Sequence, residues 1–175
     1  MNKTECVIRL FGEKIVQGEF KEGAALPSEA KLCDLFQVSR NCMRESIKVL
    51  VAKRLIDSCG RRGLFVMSRN RWDFLDAEVL EWTLASGNNN ELIFSLLEVR
   101  NLIEPTILSW AASRANSADL AAIDACWSAM EASKFDHAEF KEAQIRLNKA
   151  MLMATHNPVI TQLSEAFGVL QRKLF

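Results

Sequence analysis

The sequence predicts a mainly α protein in two parts, a small N-terminal module of helices closed by one short β hairpin and then an all-helical bundle. Three observations carry this. Apolar residues recur at helical spacing along nearly the whole chain. The strand-like stretches are two short apolar runs on either side of residues 59–63. The zero net charge conceals a division: residues 1–71 hold 14 Lys and Arg against 8 Asp and Glu, and residues 72–175 hold 8 against 14. Opposite signs suggest two modules with different partners, so the boundary is placed after Arg71, giving 1–71 and 72–175.

Composition sets the outer limits. With 49% apolar and 25% charged residues, seven Gly and three Pro, the chain suits a globular protein and excludes collagen-like or disordered classes. No apolar run reaches the roughly 18 residues needed to span a bilayer, and Met1, Asn2, Lys3, Thr4 and Glu5 lack the order of a secretory signal. A cytoplasmic protein without a membrane partner is expected. The five cysteines are odd in number and form no C-x-x-C pair, so they read as small buried apolar residues rather than disulfide or zinc ligands.

Thr4 can cap a first helix whose apolar face is Val7, Ile8, Phe11 and Ile15, with Gly18 at its end. Gly23 and Pro27 punctuate the chain before Ser28 caps a short second helix with Leu32, Cys33, Leu35 and Phe36 on its apolar side. Gln37 and Val38 form a tight turn, and Ser39 caps a third helix. Val38 and Met43 are spaced for a hydrophobic staple, and Met43, Ile47, Leu50 and Val51 make the buried stripe.

Helix, tight turn and capped helix outline a helix-turn-helix. The exposed start of the third helix carries Ser39, Arg40, Asn41 and Arg44. Arg can bridge guanine O6 and N7, Asn can bridge adenine N6 and N7, and Ser at a helix N-terminus suits phosphate. Two short strands then flank Gly60, Arg61, Arg62 and Gly63, a hairpin whose tip could enter a minor groove as a wing. The first module therefore reads as a winged helix-turn-helix for double-stranded DNA.

These residues also resemble a known family. Ile15, Val16, Gln17 and Gly18 through Gly23, then Leu26, Pro27, Ser28, Glu29, Leu32, Val38, Ser39, Arg40, Met43, Arg44, Glu45, Leu50, Leu55, Ile56 and Arg62 through Val66, are similar to the winged helix-turn-helix of GntR-type bacterial transcription regulators. With it, the DNA-binding set is Ser28, Glu29, Ser39, Arg40, Asn41, Arg44, Arg61, Arg62 and Gly63. The family usually has a DNA-contacting Arg after the Ser-Glu pair; here that position is Ala30.

Beyond Arg71, helices are expected over 73–85, 91–114, 117–133, 136–155 and 158–175, with 69–73 as a linker that has no Gly or Pro. At about 100° per residue, the 91–114 helix puts Leu92, Leu96, Val99, Ile103, Ile107 and Trp110 on one arc. Arg100 falls inside that apolar sector, and an unpaired guanidinium there is costly. Either Glu104, one turn on, is its structural partner, or Arg100 holds the carboxylate of a ligand. Gln144 and Asn148 are likewise on the arc of Phe140, Leu147 and Met151, so they belong either to an internal hydrogen-bond network or to a polar ligand site.

Trp72, Leu75, Asp76, Val79, Leu80, Trp82, Glu98, Val99, Arg100, Glu104, Pro105, His156, Asn157 and Pro158 resemble the helical effector domain of the FadR subfamily of these regulators. The resemblance implies that Arg100 binds an effector carboxylate, with Gln144 and Asn148 in the same site. Many members hold a divalent metal with an Asp, one turn before a His, and two further His. Here the first two positions are Gln144 and Asn148, poor ligands beside carboxylate and imidazole, and His137 and His156 do not fit the pattern. No metal or cofactor is expected. The resemblance also implies a bundle that lacks its last helices, leaving apolar surface for a partner helix.

The functional expectation is a sequence-specific transcriptional regulator, a homodimeric repressor of a sugar-acid catabolic operon released from its operator by a small carboxylate effector. The alternative is a truncated interaction fragment that pairs with a full-length relative and has no effector response. An enzyme is disfavoured: the sequence shows no nucleophile-base-acid set, Gly-rich phosphate loop or metal triad.

Overall fold

The computed structural model describes residues 2–87 and 89–174, and of Arg61 only the backbone. Two compact units divide the chain, Met1–Asn88 and Asn89–Phe175. In the first, α1 (Lys3–Val16), α2 (Glu29–Phe36) and α3 (Arg40–Ala52) precede a hairpin of β1 (Ile56–Ser58) and β2 (Leu64–Val66), and α4 (Ala77–Ala85) follows. Helix α1 is capped by Asn2 rather than Thr4. The Asn2 side chain accepts from the Glu5 N–H at 2.9 Å while Glu5 accepts from the Asn2 N–H at 2.8 Å, a reciprocal capping box that satisfies two orphan donors at once. Helices α2 and α3 start at their expected caps, Ser28 accepting from Lys31 N at 3.5 Å and Ser39 from Cys42 N at 3.3 Å. Between them Gln37 adopts a left-handed φ of 52°, which reverses the chain in one residue. Val38 packs on the core that encloses Met43.

Strands β1 and β2 pair antiparallel, Ile56 opposite Val66 and Ser58 opposite Leu64. The chain before α2 lies along the outer edge of β2, with Leu26 N donating to Leu64 O at 2.8 Å and Val66 N to Ala24 O at 3.0 Å. Phe11, Ile15, Leu32, Met43, Leu50 and Ile56 form the centre of this unit's core. Among the cysteines, all five unpaired, Cys33 is buried and the other four are half-buried.

The boundary expected after Arg71 lies further on, because Trp72, Val79 and Trp82 belong to the core of the first unit. Trp82 packs so closely on α1 that a Cβ added at Gly12 would lie 2.3 Å from its ring carbon Cζ3. The helix expected from residue 73 begins at Ala77 instead, capped by Asp76, which accepts from the Glu78 and Val79 N–H groups; Asp73 spends its carboxylate on a turn, accepting from Leu75 N. Lys53, the residue after α3, reaches Asp76 at 2.6 Å and Glu78 at 2.7 Å with its side chain 11% exposed. Burial alone would lower the Lys53 pKa, but the hydrogen bonds and charges of Asp76 and Glu78 outweigh it and hold the ammonium above its ordinary value. In place of a plain linker there is a short 3-10 turn over Arg69–Arg71, and the Trp72 indole N–H donates to Met67 O at 2.9 Å.

The second unit is helical: α5 (Asn90–Arg114), α6 (Ser117–Ala132), α7 (His137–Met153) and α8 (Pro158–Leu174). Asn116 and Asp119 form a capping box on α6, and Asp136 caps α7. His156, at φ 52°, makes the turn into α8, and its ring nitrogen lies 2.7 Å from Asp119. Small apolar clusters join the helices, one of Ile107, Leu152, Ile160 and Phe167, another of Met130, Ala143 and Leu147. The buried arc of α5 is rotated from the expected one: Leu96, Ile107 and Ala111 are buried, whereas Val99 is 51% exposed. Phe94, Leu102, Trp127 and Phe135 are exposed apolar side chains. Among the described residues, no helix is long and apolar enough to cross a membrane.

Candidate functional site

In the first unit, the sequence-selected residues gather around the N-terminal half of α3. Ser39, Arg40 and Asn41 are exposed at the helix tip, where the first N–H groups of α3 point outward. Arg44, one turn after Arg40, is exposed on the same flank and donates from Nε to Glu29 Oε1 at 2.7 Å. A cleft of about 460 Å³ runs beside it, lined among others by Ser28, Glu29, Arg44, Lys48, Gly60 and Gly63. The start of α2, the exposed flank of α3 and the hairpin tip thus share one concave face.

The hairpin tip is a single 3-10 turn, Gly60–Arg62, between glycines at φ 54° and 93°. Both values lie where side chains with a Cβ are strained, so the two glycines set the turn's shape. Arg62 is exposed; the side chain of Arg61 lies outside the described residues. Cys59 donates from Sγ to Asp57 at 3.3 Å, and this hydrogen bond, with desolvation and the Asp57 charge, holds the thiol pKa above its ordinary value. The thiol therefore stays neutral at physiological pH and subtracts nothing from the positive charge of Arg62. Lys48 is a member of the cleft that sequence reasoning missed. Its place four residues after Arg44 on a helix was the available signal.

In the second unit, Arg100 is mostly buried and makes a two-pronged ion pair with Glu104, Nη2 to Oε1 at 2.8 Å and Nε to each carboxylate oxygen at 3.2 Å. The structural pairing weighed from sequence is formed. Asn148, Ser164 and Gln171 line the same cleft, whose volume of about 10 Å³ has room for about one water molecule. Gln144 is not brought to it. One turn nearer the start of α7, it lines a separate depression of about 330 Å³ with Lys134, Phe135, His137, Phe140 and Lys141. Ser164 and Gln171 were missed; they share the α8 arc of Phe167, polar residues on a buried stripe, the same signal that selected Gln144 and Asn148.

The donor set does not fit a metal centre. Gln144 and Asn148 offer neutral amides and line different clefts, His156 is engaged by Asp119, and among the described residues no three His, Cys, Asp or Glu side chains converge on a point.

Comparison with known proteins adds the following. The model of the family described as bacterial regulatory proteins, gntR family, matches residues 3–66, and that of the FCD domain matches residues 95–175. The galactonate operon transcriptional repressor of Escherichia coli K12 is 46% identical over 175 residues, covering 100% of this chain and 76% of that protein. The Glc operon transcriptional activator of the same organism is 29% identical over 164 residues, covering 89% of this chain and 62% of its own. A solved structure of Lar, which controls the expression of the Listeria monocytogenes agr system, superposes with a TM-score of 0.63 at 21% identity, covering 99% of this chain and 73% of that one. This likeness concerns the fold.

Proposed function

Because the chain belongs to the gntR family of bacterial regulatory proteins, with an FCD domain behind its winged helix-turn-helix, it is a DNA-binding transcriptional regulator, and we propose that it represses a sugar-acid catabolic operon in the cytoplasm. As a homodimer it would place two α3 helices in successive major grooves of a palindromic operator, about 34 Å apart. A small carboxylate effector would enter the second unit at Arg100, compete with Glu104 for the guanidinium, and favour the form with low operator affinity.

One observation supports the DNA-binding face: Ser28 and Glu29 at the start of α2, Arg44 and Lys48 on the flank of α3, and Gly60 and Gly63 of the hairpin line one concave surface. The name of the galactonate repressor supports the sugar-acid class and the sign of regulation. The closed cleft at Arg100 implies that effector entry opens it, since no sugar acid fits in about 10 Å³. The interaction-fragment alternative is not favoured, because both domain models and a relative along the full chain match a regulator.

The test is operator binding at a fixed, stated salt concentration, with and without galactonate and other sugar acids. Specific binding weakened by one of these acids supports the proposal. Equal affinity for operator and random duplex would remove it. Arg100→Ala should leave operator binding intact and abolish the effector response; a retained response would return Arg100 to a purely structural role.

A further inference from the structure

We infer that Glu29 is a positioning residue for base recognition, fixing the guanidinium of Arg44 rather than touching DNA itself; this rests on the reading of α3 as the recognition helix. Three observations support it. Glu29 is the first residue of α2 and Arg44 sits on α3, so their 2.7 Å hydrogen bond ties the two helices together across the face that meets DNA. The bond uses Arg44 Nε; among the described residues no hydrogen bond from either Nη is found. The two Nη groups are therefore left for another acceptor, and such a pair of donors can span guanine O6 and N7 end-on. Finally, Lys48, on the same cleft, is paired to Glu45 of its own helix at 2.7 Å, so Arg44 is the cation that the neighbouring helix orients.

The charge argument points the same way. A carboxylate on a surface that approaches phosphates repels them, so Glu29 weakens binding to any duplex. Its favourable part in base reading is assigned to what it does to Arg44; a direct contact of Glu29 with cytosine N4 would show instead as a further loss without Arg44. A long exposed side chain samples many rotamers, and pinning Nε removes that freedom before the bases are met. Glu29 thus exchanges general affinity for discrimination at the base pair read by Arg44.

The experiment uses the full chain and a randomised duplex pool, from which wild type, Glu29→Ala, Glu29→Gln and Arg44→Ala each select preferred sequences; the wild-type consensus and its single-base variants are then titrated. Thermal melts confirm that each variant is folded. For Glu29→Ala the expectation is about tenfold weaker discrimination at one position of each half-site, with binding to random duplex unchanged or tighter. Glu29→Gln keeps an acceptor for Nε and should restore much of the preference, and Glu29→Ala should add nothing in an Arg44→Ala background. A Glu29→Ala preference identical to wild type, an equal loss in Glu29→Gln, or a further loss without Arg44 would each overturn the inference while leaving DNA recognition by α3 standing. If wild type enriches no sequence at all, the reading of α3 fails and the inference goes with it.

Discussion

Arg40 stands exposed at the start of α3, where an Arg can bridge guanine O6 and N7, and its removal should show where specificity resides. Arg40→Ala is expected to cost about 1–3 kcal/mol in operator binding and much less on random duplex, measured by fluorescence anisotropy on both. An equal loss on the two duplexes would make Arg40 a phosphate contact instead. At Gly12, opposing effects can be ranked. In an exposed helix interior Ala is favoured over Gly by about 1 kcal/mol, yet here the added methyl would meet the Trp82 ring at 2.3 Å. Overpacking of that kind costs about 1–3 kcal/mol, so Gly12→Ala should lower the thermal midpoint rather than raise it. A raised midpoint would mean that the indole moves aside freely. Nothing near Gly12 in the sequence announces this, because its partner lies on a helix much later in the chain.

Helices were legible wherever a cap and an apolar stripe agreed. Ser28 and Ser39 are followed by clear stripes, and both helices begin at those caps. Where two cap-forming residues compete, pattern alone chose wrongly. Thr4 gave way to Asn2, which has Glu5 three residues on to complete a box, and the 73–85 helix lost its first turn because Asp73 and Asp76 divide turn and cap between them. The Arg44 flank was visible as charge on a helix, but its tie to Glu29 was not, since it depends on the angle between two helices. The Arg100 cleft was half legible: the misfit of Arg100 and Asn148 on apolar arcs was readable, whereas their juxtaposition with Gln171 needed the packing of α8. At this scale, Ser39→Ala should destabilise the first unit by about 1 kcal/mol, read by chemical denaturation. Lys53 adds a pH prediction. Its raised pKa means that the link to Asp76 and Glu78 is fully present below the ordinary lysine value of 10.5 and is lost as pH rises through the higher folded value. Stability should fall in strongly alkaline solution, and Lys53→Met should remove that part of the fall.

For the whole molecule, the second unit exposes Phe94 at 66%, Leu102 at 78% and Trp127 at 51%, large apolar side chains that a second copy of the chain could cover. Together with the proposed homodimer, this predicts a thermal midpoint that climbs with protein concentration; a midpoint independent of concentration would count against dimerisation. Acid acts on the same unit. The backbone hydrogen bond from Asn116, aided by His156, holds the Asp119 carboxyl below its ordinary range against opposing desolvation. That contribution is present above the ordinary value of 3.8 and is lost as pH falls through the lower folded one, so the unit should weaken in strong acid and Asp119→Asn should blunt the effect.

The seat of Trp82 against Gly12 also decides how this regulator can be grafted. A chimera that joins residues 72–175 to a foreign reader would keep the Trp82 indole without the α1 surface it covers. A splice after Gly87 keeps Trp82 and Gly12 on the same side of the cut. Hybrids cut at the later point should express as stable proteins where those cut at the earlier one precipitate.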